Sequence, residues 1–330
     1  MSTLNIGNLK LEPGQRARGV LGTFYQSDGT KVSIPLMGVR GKQEGPVLWL
    51  SAAMHGQELS GIPVVWEIIK QHTDPDTLRG AVVGAPILNP FSFNGRTYFT
   101  PEDGYNVNRV FPGDPNGLLT HRLANLIYEE AVTKSDYLID FHCNVSSAMY
   151  FSIIKGSEQE EAFRESRKMA DAFGVTTIEM ILKHEAHRTG TMSDEARKAG
   201  KPMLVLELIP WRMIYPEAVR VGVRGTLNVM KHLGMIDGEP DPQDEIDVLG
   251  GRLSRTELNV SRGGLIDKFV DVGDRVEKGQ LLGQVVDGYG EPVEDIVSTV
   301  DGWLLAWPMI HNQAAGSGDH VAFLAFPIEE

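Results

Sequence analysis

Seven residues, Val47-Leu48-Trp49-Leu50-Ser51-Ala52-Ala53, pass without a charge and with a single polar side chain. A run this short and this apolar marks a strand buried on both faces, and such strands sit inside mostly parallel sheets covered by helices. Leu59, Ile62, Val65, Trp66 and Ile69 then recur at helical spacing, with Pro63 near the first turn, where a missing N–H costs least. Residues 80–88, G-A-V-V-G-A-P-I-L, read as the next strand, and Asn89-Pro90 ends it. This β-α-β order requires a parallel, right-handed crossover. The fold class is α/β, a mainly parallel sheet flanked by helices.

Between that first strand and its helix stand His55 and Glu58. Ligands of open α/β sheets bind at the carboxyl ends of the strands, so an imidazole and a carboxylate three residues apart at that edge can reach one point. His-x-x-Glu is a short pattern that chance also produces. A second strand, D-Y-L-I-D-F-H at 136–142, ends on His142 and supplies a third donor of the same kind. Two imidazoles, one carboxylate and an open fourth position are what a catalytic zinc uses. The expectation is one zinc per chain on His55, Glu58 and His142.

The remaining segments surround that core. Two short strands flank an Asp-Gly turn within residues 16–40, a hairpin signal. Residues 91–116 are the longest stretch without periodicity, but six aromatics argue against disorder, and loops of this length inside a compact domain are usually functional. Its two cations are Arg96 and Arg109. Arg109 follows Asn108, and a guanidinium beside a carboxamide suits a carboxylate held bidentately; either arginine could instead pair with Glu102 or Asp103 on the surface. A helical pattern from Leu119 to Ala131, a strand at 149–154 and a helix at 162–173 capped by Gly174 follow. His184 and His187 fall in a polar stretch, 183–194, read as a solvated loop because neither follows a buried strand. Residues 202–208 form another buried strand carrying Glu207, a carboxylate that is costly there without a partner. That partner is either a water beside the metal, which makes Glu207 a catalytic base, or an arginine in the core. A helix over 216–233 stops at Gly234.

Six acids and two prolines in D-G-E-P-D-P-Q-D-E-I-D, residues 237–247, mark an exposed linker. Beyond it, residues 248–330 are rich in valine, glycine and short alternating segments, which suggests a small all-β domain after a catalytic domain over 1–240. The net charge of −13 argues against a nucleic-acid partner. One cysteine, Cys143, fits a reducing, cytoplasmic setting. No basic-then-apolar leader opens the chain, and no apolar run approaches the roughly 20 residues needed to span a bilayer. A homo-oligomer stays open.

His55-Gly56-Gln57-Glu58, Asn108-Arg109-Val110-Phe111-Pro112-Gly113 and the strand ending at His142 together resemble the succinylglutamate desuccinylase/aspartoacylase family, a branch of the zinc carboxypeptidase superfamily, over about residues 20–235. The resemblance implies a zinc-carboxypeptidase-like sheet and a zinc-dependent hydrolase that cleaves the amide bond of an N-acyl amino acid. It implies His55, Glu58 and His142 as zinc ligands, Glu207 as general base, Arg96 as the group polarising the scissile carbonyl, and Asn108 with Arg109 as the grip on the substrate carboxylate. Two positions depart from the family pattern: Gln57 and Asn106 stand where aspartate is usual. In carboxypeptidase-like enzymes the aspartate at the second position supports a metal-bound histidine; an amide still accepts a hydrogen bond but leaves the imidazole less basic. The Asn-x-Asn-Arg-x-Phe-Pro-Gly stretch is also similar to that of N-acetyl-diaminobutyrate deacetylases of ectoine breakdown, one candidate substrate class. Rival readings are a carboxypeptidase acting on short peptides and a metal-free binding protein on the same fold. The tail resembles a biotinyl/lipoyl-type barrel at D-V-G-D-R-V-E-K-G-Q, residues 271–280, but no lysine follows Lys278 to carry a cofactor.

Overall fold

The structure is a computed structural model that describes residues 2–144, 147–181, 189–307 and 313–328. His184 and His187 lie outside the described residues. Strands β1 (Leu4–Ile6) and β2 (Leu9–Leu11) form a small antiparallel pair. Strands β3 (Arg16–Tyr25) and β4 (Lys31–Arg40) form the expected hairpin, in which the Asp28 carboxylate accepts the Thr30 N–H at 2.8 Å across the turn. The chain continues through β5 (Gln43–Ala52), α1 (Gly61–Gln71), β6 (Arg79–Ala85), α2 (Pro90–Gly95), α3 (Leu119–Ile127), β7 (Tyr137–Cys143) and β8 (Phe151–Gly156). Then come α4 (Glu161–Phe173), β9 (Thr176–Ile181), α5 (Met192–Lys198), β10 (Met203–Leu208) and α6 (Pro216–His232).

Strands β10, β7, β5 and β6 lie side by side and parallel, with β5 near the middle. The hairpin extends the sheet beyond β6 by antiparallel pairing. On the other side β8 runs antiparallel to β10, and β9 runs parallel to β8. Alternation along β5 divides its residues between two cores. Leu48, Leu50 and Ala52 pack with Ile62, Val65, Ile68 and Ile69 of α1 and with residues of α4 and α6. Trp49 packs with Leu123 and Ile127 of α3, Met192 of α5 and the hairpin. Replacing this fully buried indole by alanine costs about 3–5 kcal/mol through lost transfer energy and cavity formation.

Residues 91–116 hold more local structure than their lack of period suggests. Asn89 caps α2, its side chain accepting the Ser92 N–H at 3.2 Å, and Pro90 takes the first helical position. The strand expected over 80–88 ends already at Ala85, and the dipeptide read as its stop starts a helix instead, because proline is pre-set for the first helical position and its missing N–H is not needed there.

The tail, among its described residues, is strands only: β11 (Leu253–Asn259), β12 (Gly264–Lys268), β13 (Arg275–Val276), β14 (Leu281–Val286), β15 (Pro292–Val297), β16 (Gly302–Ala306), β17 (Ala314–Ala315) and β18 (His320–Pro327). They divide between two sheets. β15, β14, β12 and β17 make a four-stranded antiparallel sheet, whereas β11, β18, β16 and β13 continue the main sheet, joined to β9 by the single pairing Leu253↔Ile178. The tail has its own core around Leu282, Val285, Val321 and Leu324. A second cluster, with Phe151 and Ile178 on one side and Leu253, Leu305 and Phe323 on the other, holds it to the α/β region. Charge adds to that hold. Buried Glu179 on β9 takes Arg167 of α4 at 2.9 Å and Arg252, at the entry to β11, at 2.6 Å. A carboxylate this enclosed needs such partners, and truncating one of them leaves buried charge uncompensated.

Candidate functional site

The site is built where β5 and β7 end. Ala53 leaves β5 in the left-handed region, φ 51°, which a residue with a Cβ seldom adopts, and this bends the chain into Met54-His55-Gly56-Gln57-Glu58. Gly56 passes so close to α2 that a Cβ there would collide with the Ser92 carbonyl. Gly61 plays the same part at the start of α1, lying against Phe141 of β7 and Ala52 of β5. Glu58 is therefore fixed between two tightly seated glycines.

His55, Glu58 and His142 are all buried, and their ligand atoms lie within 4.8 Å of one another. The Nδ1 of His55 stands 2.9 Å from Glu58 Oε1, and the Nδ1 of His142 stands 2.9 Å from Glu58 Oε2. The opposite ring nitrogens face outward to acceptors: His55 Nε2 to Asn106 Oδ1 at 3.1 Å, His142 Nε2 to Asp140 Oδ2 at 2.9 Å. Asn106 Oδ1 is identified as oxygen because it also accepts the Asn108 N–H at 2.8 Å. Asp140 is held in turn by the Ser51 hydroxyl at 2.7 Å. Each imidazole thus directs its Nε2–H to an outer acceptor and turns its Nδ1 toward the carboxylate, the orientation that metal-binding histidines use. Burial raises the Glu58 carboxyl, but the two imidazoles outweigh it and hold the pKa at about 2. Its Oε2 is buried without a well-directed hydrogen bond. Two imidazole nitrogens and a carboxylate converging in this way make a donor set that fits a divalent cation, which would take the place of any proton shared among them.

Glu207 of β10 pairs in register with His142 of β7, so both project from the same face. Burial pushes its pKa up to about 7, the Glu58 charge adding to the rise while His142 opposes it. Arg255 of β11 also lowers it, so the tail brings a cation toward this carboxylate. That guanidinium stacks 4.2 Å from the Phe323 ring centre and pairs with Glu257 at 2.9 Å.

The loop residues take unequal places. Val107–Arg109 form a short 3₁₀ turn anchored through Asn106 to His55. The Asn108 side-chain oxygen accepts the Met192 N–H at 2.9 Å, which leaves its amide as a donor. Arg109 bends back to its neighbour, Nη1 donating to the Asn108 carbonyl at 2.5 Å. Arg96 ends α2 in the left-handed conformation, φ 54°. Its carbonyl accepts the Gln57 amide at 2.9 Å, while its side chain is exposed and makes no hydrogen bond or ion pair among the described residues. The structure therefore gathers His55, Glu58, His142 and Glu207 at one edge, with Asn108 and Arg109 beside them; Arg96 reaches the group only through its backbone.

Two neighbours escaped the sequence reading. Asp140 stands two residues before His142 on one strand, hence on the same face, a signal that was legible. Tyr98 lies flat on His55, ring centres 3.9 Å apart at 19°, and nothing in its loop's pattern singles it out from the other aromatics. Cys143 alternates to the opposite face; burial drives its thiol pKa well up, and it stays outside the donor set.

Comparison with known proteins agrees with this architecture. Residues 44–233 match the succinylglutamate desuccinylase/aspartoacylase catalytic domain, and the chain belongs to that family. A curated relative, the N-alpha-acetyl-L-2,4-diaminobutyric acid deacetylase of Halomonas elongata, is 27% identical over 259 residues, covering 78% of this chain and 75% of its own. Among solved structures, a succinylglutamate desuccinylase/aspartoacylase from Rhodobacter sphaeroides superposes with a TM-score of 0.84 at 24% identity, over 96% of both chains. The product-bound ectoine utilization protein EutE (DoeB) from Ruegeria pomeroyi gives 0.85 at 22%, over 98% of both. These likenesses show that the fold is shared.

Proposed function

We propose that this protein is a zinc-dependent hydrolase that cleaves the amide bond of an N-acyl amino acid. The observation that carries the reading is the pairing of two opposite carboxylates at one strand edge. Glu58, beyond the end of β5, is kept ionised by the imidazoles beside it, while Glu207 on β10, two strands away, is raised to about 7. Environments that push two carboxylates apart assign them different work. His55, Glu58 and His142 would hold the metal, one ion per chain. When bound, zinc supplies Lewis acidity to the scissile carbonyl and makes water acidic enough to ionise near pH 7.

The chain's own residues do the rest. Glu207, with a proton affinity near neutrality, accepts the proton of the attacking water and returns it to the leaving nitrogen. Arg109 and the Asn108 amide grip the amino-acid carboxylate and so set the amide bond at the metal edge. Arg96 swings from its exposed position at the end of α2 to stabilise charge developing on the carbonyl oxygen. The diaminobutyrate deacetylase relative supports an N-acetylated amino acid as substrate. We read residues 248–330 as a C-terminal unit of barrel-like build that carries no lipoate or biotin, and the cytoplasm as the setting that suits a lone buried thiol.

The test is a screen of N-acetyl and N-succinyl amino acids, with dipeptides alongside, using zinc-loaded protein. Hydrolysis of an N-acyl amino acid that stops on chelation and returns with zinc is the expected result. Turnover of dipeptides alone would move the protein to the peptidases, and no turnover with full zinc occupancy would remove the catalytic reading.

A further inference from the structure

A cavity of about 420 Å³ lies between the catalytic region and the tail, and none of its walls is a residue of the cluster described above. Tyr150 lines it: the side chain is only 7% exposed, and its hydroxyl makes no hydrogen bond among the described residues. Lys268 of β12 lines it as well, its ammonium 5.7 Å from the centre of the Trp307 ring. Its one hydrogen bond among the described residues is a long one, 3.4 Å, to the Ser147 hydroxyl, and no carboxylate of the described residues pairs with it. Burial lowers its pKa with no acid to oppose the shift. The rest of the wall includes four carboxylates, Glu217, Glu245, Asp247 and Asp271, of which Glu245 already faces Arg220 at 3.7 Å and Arg224 at 3.8 Å.

This lining carries an instruction about charge. A simple anion drawn to Lys268 would also face the four acids of the wall. A simple cation drawn to the acids would leave the ammonium over Trp307 without a counter-ion. A ligand with both signs satisfies both ends, and the volume, roughly a dozen waters at ~30 Å³ each, suits one small molecule. We propose that this cavity binds a free α-amino acid, its carboxylate at Lys268, its ammonium group toward Glu217 and Asp247, and the Tyr150 hydroxyl in hydrogen bond with it. The cavity needs no part of the catalytic reading, although an amino acid released by the hydrolysis proposed above belongs to the same class. Because the walls come from both the catalytic region and the tail, an occupant would tie the two together.

Calorimetric titration of the zinc-loaded full chain tests this, using the protein amino acids and L-2,4-diaminobutyrate in an Arg109→Ala background that weakens product binding at the metal edge. At least one amino acid should bind with one-to-one stoichiometry, while its des-amino acid and its amide should not. Adding Lys268→Met should weaken binding ten- to a hundredfold, and adding Tyr150→Phe about two- to tenfold. Lys268→Met alone should leave kcat/KM for an N-acyl amino acid unchanged. Absence of binding across the panel overturns the proposal, as does binding indifferent to both substitutions or equal binding of the des-amino acid. Should Lys268→Met fail to fold, Tyr150→Phe decides. Binding in a protein that hydrolyses nothing would sink only the proposed function.

Discussion

Asn106 offers the sharpest handle on the proposed metal centre. It is 8% exposed, and its side-chain oxygen accepts from His55 Nε2 at 3.1 Å and from the Asn108 N–H at 2.8 Å. Asn106→Asp keeps shape and both hydrogen bonds but replaces a neutral acceptor by a charged one. A neutral hydrogen bond contributes about 0.5–1.5 kcal/mol and one to a charged group about 1.5–3, so the difference is about 1–1.5 kcal/mol. That energy makes His55 the better donor, and zinc should bind roughly five- to tenfold more tightly. Without metal the new charge lies near the ionised Glu58, which destabilises the empty site and pushes in the same direction. Asn106→Ala should instead cost about ten- to a hundredfold in zinc affinity. Competition against a chromophoric chelator reads both effects, and melting temperatures with and without zinc check the fold. A folded Asn106→Asp protein that binds zinc no more tightly than the parent would refute the claim that this contact sets His55's strength as a ligand.

Three further outcomes follow from the same geometry. Glu207→Gln should keep zinc and substrate binding but lose about 10²–10⁴ in kcat, measured by steady-state kinetics beside elemental analysis; near-parental turnover would return Glu207 to a core role. Arg109→Ala should lower kcat/KM about ten- to a hundredfold, mainly through KM, and the loss should shrink on a substrate whose carboxylate is an amide; equal losses on both would end the clamp assignment. Acidification should release zinc: burial opposes charge on His142, but Glu58 and Asp140 outweigh it and hold the pKa well above 6.5, so protons compete with the metal already above that pH. Equilibrium dialysis across neutral to mildly acidic pH shows whether occupancy falls, and constant occupancy would contradict the ligand assignment.

The parts of this molecule that were legible in its sequence share a physical cause. The apolar cores of β5 and β7 are covered on both faces; β5 ends three residues before His55 and β7 one residue after His142, so hydrophobic patterning alone locates the site's edge. Glu207 stands out as a single carboxylate in an apolar run, and the pairing of β10 with β7 sets it in register with His142. What patterning cannot carry is contact between distant segments with no period of their own. Tyr98 rests on His55 because a loop folds back, and the Asn108 side-chain oxygen is claimed by Met192, 84 residues further on. The tail shows the same limit on a larger scale. Its alternating segments announce strands, but which sheet each strand joins depends on the edge that β9 leaves open, and that edge exists only after the catalytic sheet has formed. Once β11 takes it, Arg255 is brought onto Phe323 and its charge reaches Glu207, opposing the rise that burial imposes. The proton affinity of the proposed base is thus set in part by a residue 48 positions later in the chain, a coupling produced by sheet continuation rather than by any motif.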